Sequence, residues 1–171
     1  MLKIIGIAGL AGAGKDTVAD YLIRQMPEYR KIAFADPIKN MLKTGLKMTD
    51  NQLQGCEKNM VDRRYGKSPR QIMQTLGTEW GRGYVNKDLW IYLLEKERGT
   101  YPAIISDVRF QNEAEYVRKN GVLIHVVGRG DSSHKHSSES GVDIHRDDIV
   151  IENDSSVKNL YRALFHLLIK S

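Results

Sequence analysis

The nine residues Gly9-Leu10-Ala11-Gly12-Ala13-Gly14-Lys15-Asp16-Thr17 restrict this chain more than any other segment. They follow an apolar run, Leu2 to Ala8, that reads as a strand buried in a sheet. They precede Val18, Ala19, Leu22 and Ile23, whose spacing predicts a helix opening at the lysine. Strand, glycine-rich turn and helix, in that order, form the context of a loop that holds phosphate. Glycines let the backbone curl until several N–H groups point at one anion. The helix N-terminus adds partial positive charge and Lys15 adds a full one. A plain glycine-rich connector of an α/β protein is the other reading. The placement of Gly9, Gly14 and Lys15 directly after a strand favours a nucleotide triphosphate as ligand.

One position departs from the usual pattern. A Ser or Thr normally follows the lysine and helps to hold magnesium, but Asp16 stands there, with Thr17 behind it. One residue turns a side chain by about 100° on an α-helix, so Thr17 does not replace that hydroxyl. Asp16 could hold magnesium through its water shell, or sit beside an acceptor phosphate and its arginines. The plainer alternative is a carboxylate steadying the first helical turn. A role at the catalytic site is favoured.

Apolar runs recur at 31–35, 103–106, 122–127 and 148–151, making five with the first, and helical patterns separate them. Alternating strands and helices predict an α/β fold with a parallel five-stranded sheet covered on both faces. At 171 residues the chain fits one domain. Asp36-Pro37 and Ser68-Pro69 each read as a helix cap followed by a first-turn proline. Val157, Leu160, Tyr161, Leu164, Leu167 and Leu168 form the packing stripe of a last helix. Two segments, about 47–67 and about 128–147, lack apolar periodicity and read as functional loops rather than framework. In a kinase they would serve as a flap over the acceptor and a lid over the donor.

No apolar run approaches the length of a bilayer span, and the N-terminus lacks a signal pattern. The chain is therefore expected to remain in the cytoplasm where it is made, without a membrane partner. The single cysteine, Cys56, suits a reducing compartment and reads as incidental. A net charge of +5 and a pI near 9.3 invite a nucleic-acid reading. The charge is spread along the chain, however, and an enzyme closing over two phosphorylated substrates also needs it.

Two further segments carry chemistry. From Pro69 to Arg82, Ile72, Met73, Leu76 and Trp80 fall at helical spacing and predict a core face. Arg70, Gln74 and Thr78 stand four apart on another face, with Arg82 just beyond the expected end. An arginine fork can clamp a phosphate while an amide reads a base edge. A solvated amphipathic helix explains the same spacing. Further on, Ile104-Ile105-Ser106-Asp107-Val108-Arg109 puts a carboxylate at the end of an apolar strand. That is the edge of an open sheet where ligands bind, and Asp107 there could orient magnesium waters. Arg109 would point into the same crevice. The plain alternative, Asp107 as a cap for the following helix, leaves Arg109 unexplained.

Taken in order, these segments resemble the deoxynucleoside monophosphate kinases of tailed bacteriophages. The resemblance runs through residues 14–17, Pro37-Ile38-Lys39, Arg70 to Thr78, Asp107-Val108-Arg109 and Gly121. It continues through Val126-Val127, His136-Ser137-Ser138-Glu139 and Ile149 to Asp154, and is poorest at about 43–67. It implies a three-layer P-loop NTPase fold in a single kinase domain, with an acceptor-binding region at about 36–88 and a lid at about 128–147. It implies transfer of the γ-phosphoryl of ATP, with Mg2+, to the 5′-phosphate of a deoxynucleoside monophosphate, and it hints at a homodimer. Gly12, Ala13, Gly14, Lys15, Asp16 and Thr17 would then hold the ATP phosphates, with Asp16 and Asp107 near magnesium. Lys39, Arg70, Gln74, Thr78, Arg82 and Arg109 fall to the acceptor or the transferring group, with His136 and Glu139 of the lid on the substrate side. Arg129 reads as the lid arginine, and Asn153 and Asp154 would lie near the adenine. The catalytic set is Lys15, Asp16, Arg70, Asp107 and Arg109.

Other readings fit less well. His134, His136 and His145 match no zinc spacing, and His125 and His166 read as structural. A guanine-nucleotide switch would show Asn-Lys-x-Asp after a strand, whereas Asn86-Lys87-Asp88 precedes a helix. A basic P-loop protein acting on DNA would bind duplex in a salt-dependent way, and no such affinity is expected here. Kinases of dephospho-coenzyme A or phosphomevalonate remain as rivals within the fold.

Overall fold

The computed structural model describes residues 4–128 and 141–170, with side chains as far as 165. The chain divides into two compact units, one formed by Met1–Ala33 with Glu97–Ser171 and the other by Phe34–Lys96.

The first unit is built on a sheet. Its strands are β1 (Ile4–Ala8), β2 (Arg30–Ile32), β3 (Ala103–Val108), β4 (Gly121–Val127) and β5 (Ile149–Glu152). They pair in the order β2-β3-β1-β4-β5, and every pairing is parallel. The order follows from the apolar content: β1 is buried along its whole length and takes the centre, while β2, with two exposed residues of three, takes an edge. Helices α1 (Lys15–Gln25), α6 (Gln111–Asn120) and α7 (Val157–Lys170) belong to this unit. Ile5 and Ile7 of β1 share a cluster with Val18 and Leu22 of α1 and with Leu160 and Leu164 of α7. Full burial of each such side chain stabilises by about 1.5–3 kcal/mol. The five strands expected at 2–8, 31–35, 103–106, 122–127 and 148–151 are thus all present, in shorter form at the second.

The second unit is helical: α2 (Asp36–Gly45), α3 (Asp50–Gln54), a 3₁₀ turn (Cys56–Asn59), α4 (Pro69–Gln74), a π-helix (Thr75–Val85) and α5 (Leu89–Arg98), which runs past its boundary. Three expectations change here. The stretch 47–67 is loop only in part: Thr49 and Gln52 cap α3 reciprocally, and Met48 and Leu53 are buried, while 60–67 are turns and an isolated bridge. The Asp62 carboxylate accepts from Arg64 and Gln52, and the Arg64 side-chain and backbone N–H groups hold it well below the usual carboxylate range. Second, Asp36 is no N-cap. Ala35 holds that position and Asp36 is the first helical residue, its carboxylate 3.0 Å from the Lys39 ammonium. Ser68 does cap α4, accepting from the Gln71 N–H while the Gln71 side chain accepts from the Ser68 N–H.

The third change concerns the face assigned to the core. Ile72, Met73 and Leu76 are only half-buried, and Trp80 is 41% exposed. With Met41, Leu42, Leu46 and Tyr65, three of them (Ile72, Leu76 and Trp80) line an open apolar pocket of about 580 Å³. The buried side of the helix is instead formed by Gly77 and Gly81. A Cβ on Gly81 would stand 2.3 Å from the Trp90 ring, and one on Gly77 would stand 2.8 Å from Ile38 Cδ1. Close approach of backbone to large side chains takes the place that bulky residues were expected to fill.

Candidate active site

In the first unit the central strand β1 runs straight into the glycine loop, and α1 begins at Lys15. Gly14 caps α1 from the left-handed region, with φ 101°, where a side chain would be strained. Space forbids one as well, since a Cβ there would meet Asn153 Nδ2 at 2.6 Å. The Lys15 side chain is buried, and its ammonium donates to the carbonyls of Gly9 and Leu10, both at 2.7 Å. The loop thus folds around its own cation. Lys15 leads from the first turn of α1, whose N–H groups have no intrahelical acceptor and so favour an anion.

Asn153, just after β5, donates from Nδ2 to the Ala13 carbonyl at 2.8 Å. Its own N–H is taken by Val127, and its Oδ1 is buried with no hydrogen-bond partner among the described residues. The side chain expected beside adenine therefore braces the back of the loop. Asp154 beside it is exposed. Asp16 is also exposed, at 81% of its side chain, and its carboxylate lies 3.2 Å from the Lys31 ammonium. Thr17 is half-buried.

Asp107 is half-buried near the carboxyl end of β3, whose Val108 is in register with Ala8 at the start of the loop. Neighbouring parallel strands thus bring Asp107 and the phosphate loop to one edge of the sheet. Arg109 follows, half-buried, and its backbone N–H and that of Phe110 both donate to the Glu113 carboxylate, at 2.8 and 3.1 Å. Glu113 is almost fully buried and fixes the turn that carries Arg109 out of the strand.

The region expected as a lid is described only in part. Arg129, His136 and Glu139 lie outside the described residues, as does His134. The returning segment is anchored by Asp148, whose carboxylate takes two N–H donors of Arg118 on α6, at 2.9 and 2.7 Å. The same carboxylate takes the backbone N–H of His145 at 2.8 Å and lies 2.9 Å from His125 Nε2. Burial opposes the charge on Asp148, but the Arg118 guanidinium and the His145 N–H outweigh it and hold the carboxyl well below its usual range. Burial likewise pushes His125 below the ordinary histidine value, against the pull of Asp148. The composition of 128–147 gave no sign of this anchor, because its partners lie 23 and 30 residues away from Asp148.

In the second unit, Arg70, Gln74, Thr78 and Arg82 are all half-buried, on α4 and its π-wound continuation. Arg82 also donates to the Lys87 carbonyl at 3.2 Å. Lys39 on α2 is paired with Asp36. Asn86 is a turn residue, its side chain accepting from the Asp88 N–H at 2.8 Å, as expected for the start of α5.

The fold is similar to that of a solved kinase. Shikimate kinase from Aquifex aeolicus aligns over 96% of this chain and 95% of its own, with a TM-score of 0.55 at 14% identity. The sequence profile of deoxynucleotide monophosphate kinases matches residues 3–64 and 52–164. The chain belongs to the deoxynucleotide monophosphate kinase family. It is 33% identical to a mimivirus protein (Acanthamoeba polyphaga mimivirus) named for that activity, over 95% of this chain and 94% of the other. It is also 33% identical to the deoxynucleotide monophosphate kinase of Escherichia phage RB69. That match covers 59% of this chain, and the chain spans only 45% of the phage enzyme's length. The protein is accordingly a P-loop kinase. No helix among the described residues is long and apolar enough to cross a membrane.

Proposed function

We propose that this kinase transfers the γ-phosphoryl of ATP to the 5′-phosphate of a deoxynucleoside monophosphate, giving the diphosphate. The observation that carries this reading is the extent of the family match, which runs through residues 3–164 and so includes the Lys15 loop, the Arg70 helix and Asp107 together. Phosphoryl transfer asks mainly for positioning and charge neutralisation. The acceptor phosphate is already an anion, so no strong general base is needed.

On this reading the loop N–H groups and the N-terminus of α1 take the donor phosphates. Lys15 leaves the Gly9 and Leu10 carbonyls and follows the γ-phosphoryl. Asn153 keeps the loop curled through Ala13. The donor set suits magnesium: Asp107 is one half-buried carboxylate, and that ion keeps most of its waters and takes the rest of its ligands from phosphate oxygens. Magnesium held there through water would neutralise charge on the β- and γ-oxygens. Asp16, turned toward Lys31, is the weaker candidate for it. Arg70, Gln74, Thr78 and Arg82 would receive the acceptor, the arginines on its phosphate and the amide and hydroxyl on its base or sugar, with Lys39 and Arg109 adding charge.

The test is an assay with ATP and magnesium against deoxynucleoside and ribonucleoside monophosphates, dephospho-coenzyme A and phosphomevalonate. Diphosphate from one or more deoxynucleotides is expected, and Arg70→Ala should raise the acceptor KM at least tenfold while leaving the KM for ATP within twofold. Transfer to dephospho-coenzyme A or phosphomevalonate alone would replace this reading with that of another small-molecule kinase.

A further inference from the structure

The acceptor helix changes its winding in the middle of the row that carries Arg70, Gln74, Thr78 and Arg82. Through α4 it is an ordinary α-helix; from Thr75 to Val85 it is a π-helix, closed at its end by the Asn86 N–H on the Gly81 carbonyl, five residues back. Helices bonded in this way are rare, and usually a single turn long. This one runs for 11 residues.

The change has a geometric result. In an α-helix of 3.6 residues per turn, residues four apart drift by about 40°, so Arg82 would stand about 120° around from Arg70. A helix bonded i→i+5 takes between four and five residues per turn, and residues four apart then drift roughly 30° in the opposite sense. The drift gained between Arg70 and Gln74 is undone by Thr78 and Arg82. On these periods all four positions fall on one stripe, with Arg82 within roughly 20–30° of Arg70.

Trp90 is built to hold that winding. It is fully buried, and its indole N–H donates to the Gly77 carbonyl at 2.7 Å. Its ring occupies the space that a side chain on Gly81 would need, and Ile38 does the same beside Gly77. Both glycines lie inside the π-wound segment. We infer that Trp90 is a positioning residue for the acceptor: by bonding Gly77 and filling the space at Gly81 it fixes the π winding that brings Arg82 into line with Arg70 and Gln74. The inference rests on the acceptor reading of this helix given above.

Steady-state kinetics on the full chain test it, with ATP and each deoxynucleotide varied separately. Trp90→Phe keeps a ring in place and removes the N–H donor. It should raise the acceptor KM about tenfold, with the KM for ATP changed less than twofold. Gly81→Ala, which drives a methyl into the ring, should shift the acceptor KM in the same direction and serves if Trp90→Phe does not fold. Gly83→Ala, whose added methyl would come no closer than 3.7 Å to the Thr78 carbonyl, should change neither constant. In an Arg82→Ala background, Trp90→Phe should lose most of its effect, because the tryptophan acts through that arginine. Trp90→Phe or Gly81→Ala folded but without an acceptor effect, or raising both KM values equally, overturns the inference. So does a full Trp90→Phe effect in the absence of Arg82. If Arg70→Ala also leaves the acceptor KM unchanged, the acceptor site itself is misplaced; if Arg70→Ala raises it and Trp90→Phe does not, the positioning role alone fails.

Discussion

In the phosphate loop, the groups that would meet a ligand are backbone N–H groups and one lysine, set in place within residues 9–17. In the acceptor helix they are four side chains spread over residues 70–82, and their alignment depends on how the backbone between them is wound. The loop is specified by what glycine permits at Gly14 and by the carbonyls that hold Lys15. The helix is specified by an indole that reaches it from α5, 13 residues along the chain from Gly77. A site made of backbone tolerates little change in its own sequence. A site made of side chains is vulnerable at positions that touch no ligand.

This contrast can be tested by substitutions, the most damaging first. Lys15→Ala should lower kcat by at least the roughly 10²–10³-fold typical of removing one donor to the transition state, with the acceptor KM little changed. A loss confined to the acceptor constant would contradict the division between the two regions. Asp107→Asn should lower kcat by about tenfold to a hundredfold, and more magnesium should recover part of the loss, whereas Asp16→Asn should cost less than threefold. Gly14→Ala combines a left-handed φ with a collision against Asn153, and should raise the KM for ATP and destabilise the fold by about 1–2 kcal/mol. Calorimetry together with ATP kinetics would measure both.

A pH dependence should mark the first unit. His125 is held below its ordinary value, so near and below about pH 6.5 the unfolded chain binds a proton that the folded one excludes. Stability should therefore be full above that pH and decline as pH falls beneath it, and His125→Gln should flatten that slope in thermal unfolding. Asp148, held low, contributes above about pH 4 and loses its contribution only in stronger acid. The smallest effect is expected in the helical unit. Ser68→Ala removes a cap worth about 1 kcal/mol, whereas Asp36→Ala, no cap at all, should cost less.

Much of the fold is legible in the sequence because its determinants are local. Alternating apolar runs predict the strands, and the loop follows from glycines and a lysine in one segment. The Ser68-Pro69 cap follows from the same kind of short-range chemistry, reaching only to Gln71. What escapes is set by distant partners. Asp36-Pro37 is the local exception: it has the composition of a cap, but the helix begins one residue early and the carboxylate pairs with Lys39, three residues on. Ile72, Leu76 and Trp80 have core spacing, yet the helix turns Gly77 and Gly81 inward, where Ile38 and Trp90 press against them. Asn153 braces a loop 140 residues away, and periodicity has no means of recording that contact.

The two carbonyls on the Lys15 ammonium bear on which anions the loop accepts. The ammonium is hydrogen-bonded from within, and an anion that draws it away competes with the chain's own backbone. Hydrogen bonds to a charged group are worth about 1.5–3 kcal/mol each, so displacing both sets an entry threshold of several kcal/mol. A single phosphate group that drew the lysine away would have few N–H contacts with which to offset that threshold. A triphosphate would spread the same threshold over more N–H contacts along the loop. On the proposed reading, the cost of releasing Lys15 favours a longer phosphate chain over a single phosphate group.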